Sequence, residues 1–122
     1  MLSLPLPLRI FLCRQPADMR KSFDGLAQLV REFLGADPLS GHMFVFRSKR
    51  GDRLKLLYWD ESGYAIWYKR LEEGVFRFPN AASDDAGIEI RAADLTMLLD
   101  GVDLSSVKRL KRYRRPTAAP AA

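Results

Sequence analysis

The sequence predicts an α+β domain: an antiparallel β-meander of about four strands plus short edge strands, covered by two α-helices. Three observations predict it. Apolar residues recur at helical spacing in two stretches, before and after the middle of the chain. Between them, runs of aromatic and branched residues alternate with tight turns that contain glycine. At 122 residues the chain is long enough for one core and too short for two. The folded domain is assigned to residues 1–107, and residues 108–122 to a basic C-terminal arm and tail.

Taken in order, residues 8–14 (LRIFLCR) read as a short buried strand preceded by proline. Asp18 and Ser22 then offer side-chain oxygens to cap a helix. Phe23, Leu26, Ala27, Val30, Phe33 and Leu34 follow at spacings of three and four and share one helical face. Gly35 stops this helix and Pro38 lies beyond its end, while Gly25 sits inside it at some cost to stability. The meander comprises His42–Arg47, Arg53–Trp59, Tyr64–Arg70 and Val75–Phe78. Turns at 49–52, 60–63 and 72–74 join the strands, each glycine supplying positive φ. Pro79 ends the meander, residues 80–87 form a polar loop, and Ile88 and Ile90 alternate with Glu89 and Arg91 as in a short edge strand. A second helix spans about Ala92–Asp100, with Leu95, Leu98, Leu99 and then Val102 on its apolar side, Asp94 at its positive end and Gly101 as its stop. Residues 116–122 carry too little apolar bulk to pack.

The charge is unevenly spread. Twenty basic and 15 acidic residues give a formal charge of +5, yet Lys108, Arg109, Lys111, Arg112, Arg114 and Arg115 fall in one stretch. Residues 1–107 hold 14 basic against 15 acidic side chains, a charge of −1. Attraction for a polyanion is therefore concentrated on the arm and a few local patches. One cysteine, Cys13, excludes an intramolecular disulfide and a cysteine zinc site. The apolar N-terminus is broken by Pro5 and Pro7 and lacks a basic leader, so it does not read as a signal peptide. No apolar run reaches the roughly 20 residues that span a bilayer. These features point to a cytoplasmic protein with no membrane partner.

Catalytic candidates are few. His42 is the only histidine and lies in no metal-ligating motif; Cys13 sits in an apolar run, where a thiol is inert. Asp18, Asp24, Asp52, Asp60 and Asp94 could hold a cation only if three converged, and capping, turns and the helix dipole already account for most of them. No phosphate loop or dinucleotide fingerprint is present. The reading is a protein that is not an enzyme and needs neither cofactor nor metal.

Binding sites are better marked. The arm KRLKRYRR interleaves Tyr113 with six cations, a composition suited to phosphate contact; the alternative is a solvated tail. Arg47, Lys49, Arg50 and Arg53 surround the first hairpin turn, and Arg20 and Lys21 open the first helix, where they oppose its dipole. The aromatic group that includes Trp59 and Trp67 either builds the core or presents a face to a protein partner.

Two blocks are more specific: Met-Arg-Lys-x-Phe-Asp-Gly at 19–25 and FVFRxxRGDRxKxLxWD at 44–60. With KRLEEGVFRFP and LTMLLDGVDL at the same order and spacing, residues 8–115 resemble the TnpB-type accessory proteins of bacterial insertion sequences of the sixty-six family. These are unrelated to the RNA-guided nuclease that shares the name. Arg91 departs from the pattern, which has a Thr-Pro start before the second helix. The resemblance implies a small protein encoded beside a separate DDE-type transposase, contributing to transposition without catalysing it, and it brings no agreed active site. Arg20, Lys21, Arg47, Arg50, Arg53 and Lys55 match the family motifs. The leading expectation is an accessory factor that grips DNA at the element's ends while another surface engages the transposase. The rival is a pure protein adaptor that binds the transposase through Trp59 or Trp67 without touching DNA. Oligomeric state stays open, since an uncovered sheet edge could pair with a second copy.

Overall fold

The computed structural model describes residues 8–80 and 85–105. Along the chain come β1 (Ile10–Cys13), α1 (Phe23–Leu29), a π-helical turn at Val30–Leu34, β2 (Met43–Arg47) and β3 (Arg53–Asp60). They are followed by β4 (Gly63–Arg70), β5 (Gly87–Ile90) and α2 (Ala92–Leu99). The strands form one open sheet in the order β4-β3-β2-β1-β5. β2, β3 and β4 make an antiparallel meander, β1 lies parallel to β2, and β5 runs antiparallel to β1. The fold is α+β, as the sequence predicts.

Alternation along each strand divides the core in two. Ile10, Leu12, Met43, Val45, Leu54 and Leu56 face α2, where Leu95 and Leu98 meet them together with Phe76 and Phe78. Cys13, Phe44, Phe46 and Leu57 face α1, against Leu26, Ala27 and Val30. Both faces of β1 and β2 are covered, which is why IFLC and MFVF read as unbroken apolar runs. α2 is closed by a Schellman arrangement: Gly101 N–H donates to Leu98 O and Val102 N–H to Met97 O. At its start, Arg91 N–H donates to Asp94 Oδ2 at 3.1 Å, so Asp94 supplies the cap that Arg91 lacks.

Four expectations change. β1 is an interior strand and not an extension of the meander's edge; it reaches β2 through the crossover that contains α1. Val75–Phe78 is not a strand, so the meander has three. The Leu71 N–H closes the β3–β4 ladder on Asp52 O, Gly74 turns the chain at φ +80°, and Phe76 N–H meets Gly51 O at 2.7 Å. Phe76 and Phe78 are buried, so their alternation records one-sided burial of an extended segment without a ladder.

The apolar stripe of α1 is also broken. Gly35 N–H reaches back to Val30 O, and the wider turn carries Leu34 into the core while Phe33 stays 44% exposed. Phe23 is likewise exposed. Finally, in the β3–β4 turn the positive φ belongs to Glu61 (+50°) and not to Gly63. The basic arm at 108–115, the tail at 116–122 and the boundary after residue 107 lie outside the described residues. No helix among the described residues is long and apolar enough to cross a membrane.

Candidate nucleic-acid interface

The basic residues singled out in the sequence occupy three different settings. Lys49 and Arg50 stand exposed on the β2–β3 turn, and among the described residues neither has an ion-pair partner. Ser48 organises that turn: its Oγ accepts from the N–H groups of Gly51 and Arg53 and donates to Asp52 Oδ1. The two cations are thus carried on a fixed backbone.

Arg47 and Arg53 flank the turn on opposite faces of the sheet, since Arg47 pairs with Leu54 and the next residue along β3 points the other way. Arg53 donates to Tyr68 Oη at 3.3 Å on the α1 side. Arg47 lies on the α2 side, half-buried, with its Nη1 donating to Phe76 O at 3.0 Å and its guanidinium 4.0 Å above the Phe78 ring. Burial, and then the nearby charge of Arg77, push the Arg47 guanidinium below its ordinary pKa.

Arg20 and Lys21 do not open the helix. They lie in the turn before Ser22, the N-cap residue, which makes no side-chain cap bond. Asp18 accepts the Arg20 N–H at 2.9 Å and pairs with its guanidinium at 2.7 Å. Asp18 balances Arg20, so the placement of Arg20 before α1 carries no unmet cost against the helix dipole. Lys55 of the family motif is buried, with Nζ bonded to the Met19 and Lys21 carbonyls at 2.8 Å.

Sequence reasoning missed Arg14 and Arg77. Together with Arg47 they line a cavity of about 430 Å³ at the carboxyl ends of the parallel pair β1 and β2, with Phe78, Ile88 and Ser105. Arg14 follows β1 and donates to Asp85 O at 3.2 Å; Arg77 lies between the buried Phe76 and Phe78 and projects outward. No local spacing links the three. They meet because β1 inserts beside β2 and because 75–78 folds back across the sheet end. The only available signal was the isolated arginine between two phenylalanines.

The aromatic candidates separate as well. Trp59 pairs across the ladder with Tyr64, its ring edge-on at 5.1 Å, whereas Trp67 pairs with Leu56. Register places them on opposite faces of the sheet. Trp67 is 38% exposed and Tyr68 47%, both on the outer strand β4.

Catalytic candidates are occupied structurally. His42 Nδ1 accepts the Arg9 N–H at 3.1 Å beside Phe11. The buried Cys13 thiol donates to Gln15 O, and desolvation raises its pKa. Among the described residues no three of His, Cys, Asp and Glu gather as a metal cluster would.

A family model described as IS66 Orf2 like protein matches residues 8–109. Two curated proteins of Sinorhizobium fredii are similar over most of their length. Protein y4jC is 44% identical over 110 residues, covering 90% of this chain and 92% of its own. Protein y4hO is 38% identical over 96 residues, covering 79% and 82%. No solved structure matches the chain.

Proposed function

The chain belongs to the IS66 Orf2-like family, and from that premise we propose that it is a non-catalytic accessory protein of insertion-sequence transposition that holds DNA for the element's transposase. The observation that carries this reading is the gathering of Arg14, Arg47 and Arg77 at one cavity, from the ends of β1 and β2 and the 75–78 segment. Lys49 and Arg50 add two exposed cations on the β2–β3 turn. The sequence supplies a further run of six cations beginning at Lys108.

Each phosphate neutralised by such a surface releases counterions, which makes the binding strongly salt-dependent and tolerant of sequence. Trp67, exposed on the outer strand, is the natural contact for the transposase. A pure adaptor is the second reading, and the exposed Trp67 and Tyr68 favour it.

Fluorescence anisotropy with a labelled terminal-repeat duplex and a scrambled duplex, across a salt series, tests the DNA role. Truncation after Val107 should lower the log–log salt slope by roughly 4–5 units if most arm cations contact phosphate. Failure of the intact protein to bind either duplex at low salt would remove DNA and leave the adaptor.

A further inference from the structure

We infer that the cavity between Arg14, Arg47 and Arg77 is a phosphate-recognition site that takes one phosphodiester group of a nucleic-acid backbone; the inference rests on the DNA-holding role proposed above. It stands on Arg47 and Arg77, with Arg14 at the rim.

The Arg47 guanidinium is held on two sides, by the Phe78 ring 4.0 Å beneath it and by the Phe76 carbonyl 3.0 Å from Nη1. That fixes the plane of a side chain that is otherwise among the most flexible. A guanidinium carries five N–H donors and this contact uses one, so the remaining edge is presented with its direction set. The position is electrostatically unfavourable in the absence of an anion. Arg47 is half-buried and Arg77 lies close enough to disfavour its charge, yet among the described residues neither forms an ion pair. Four other arginines are balanced individually: Arg9 with Glu89, Arg20 with Asp18, Arg70 with Glu72 and Arg91 with Asp94. Two unbalanced guanidiniums at one cavity mouth therefore mark a place for an anion from outside.

Geometry selects the anion. A carboxylate is planar, and one guanidinium fork satisfies both of its oxygens. A tetrahedral phosphate directs its oxygens apart, which suits cations arriving from separate segments: the end of β1, the end of β2 and the 75–78 segment. Surroundings select the source. Lys49 and Arg50 lie two and three residues past Arg47 and stand exposed. A ligand with phosphates in series meets all of these, whereas an isolated ion meets only the cavity. Ile88 lines the same cavity, is partly exposed and offers apolar area of the kind a sugar covers.

The test compares Arg77→Gln with Arg70→Gln, which removes the same charge from a paired arginine elsewhere. Both positions are exposed, and Arg47→Lys serves as a second cavity variant that keeps charge and loses the fork. The probes are a labelled duplex across a salt series and inorganic phosphate followed through the arginine Nε–Hε resonances. Arg77→Gln should weaken duplex binding about tenfold, as loss of one charge-assisted contact does, and lower the salt slope by about one unit. Arg70→Gln should change affinity less than twofold. Inorganic phosphate should shift Arg47 and Arg77 together and saturably, and Arg77→Gln should diminish the Arg47 shift. Equal effects of Arg77→Gln and Arg70→Gln would reduce the site to net charge and overturn it. A duplex bound equally well by wild type and both cavity variants would overturn it too, with the DNA role intact. A wild type that binds no duplex at low salt overturns both. A hexaglutamate peptide that displaces phosphate where duplex does not would reassign the cavity to an acidic protein.

Discussion

Lys55 Nζ sits 2.8 Å from the carbonyl oxygen of Met19. A second bond of the same length reaches Lys21 O, and the ammonium lies 4.7 Å from the Tyr68 ring centre. The lysine of the longer family block therefore ties the loop before α1 to the sheet and is not presented to a ligand. Lys55→Met should lower the unfolding free energy by about 2–3 kcal/mol, because two carbonyls lose a charged donor. The salt slope of DNA binding should not move. Urea denaturation beside anisotropy checks both, and an unchanged urea midpoint would contradict the structural role.

Gly51 combines two constraints. Its φ is +84°, and an added Cβ would stand 3.2 Å from Val75 Cβ. Gly51→Ala should destabilise the fold by about 1–3 kcal/mol. Gly101 shares the φ of +84° with open space around it, so Gly101→Ala should cost only the backbone strain, about 1 kcal/mol. Thermal melts of the two variants would rank them, and a reversed order would refute the packing argument.

Asp18 titrates in an altered range. The Arg20 guanidinium hydrogen bond, helped by the Arg20 N–H, brings its carboxyl down to about 2. A pKa below the unfolded value means that the pair stabilises the fold above the ordinary carboxylate range of about 4. The contribution fades as pH falls from there toward 2. Both side chains are exposed, so added salt should weaken it. Carbon NMR should place the Asp18 midpoint near 2, and Arg20→Gln, which keeps the backbone N–H, should return it part of the way to the ordinary range. A midpoint unmoved by that substitution would assign the shift to another cause.

Cys13 is 1% exposed, and burial holds its thiol protonated beyond the usual range. Iodoacetamide at mildly alkaline pH should alkylate the native protein on the order of a hundredfold more slowly than the urea-unfolded chain, since reaction requires opening. Comparable rates would mean that β1 is not held in the sheet.

Local chemistry was legible and distant pairing was not. Gly35 and Gly101 marked helix ends because each takes the left-handed conformation next to an apolar stripe. The β2–β4 hairpins were readable from turn residues flanked by branched and aromatic runs. The parallel pairing of Ile10 with Met43 left no local mark, since a buried interior strand and a buried edge strand present the same apolar run. Phe76 and Phe78 alternate as a strand would, yet they answer to burial alone. The site followed the same division. Lys49 and Arg50 were visible as a charged turn, whereas Arg14 and Arg77 became neighbours of Arg47 only through sheet order and a folded-back segment. Arg20 was misjudged because its balancing charge, Asp18, was assigned to the helix.

The place of β1 has a consequence for how the molecule comes into being. Ile10 pairs with Met43 on one side and with Ile90 on the other. The β2–β3 and β3–β4 hairpins join neighbours in sequence and close on the order of microseconds. The β1–β5 seam must wait for a segment made long after β1. Until Ile88 and Ile90 emerge from the ribosome, the backbone N–H and C=O groups along one edge of β1 stay unpaired, next to the forming end of the arginine cavity. That cavity, which Ile88 helps to line, is therefore closed only after β5 has joined the sheet.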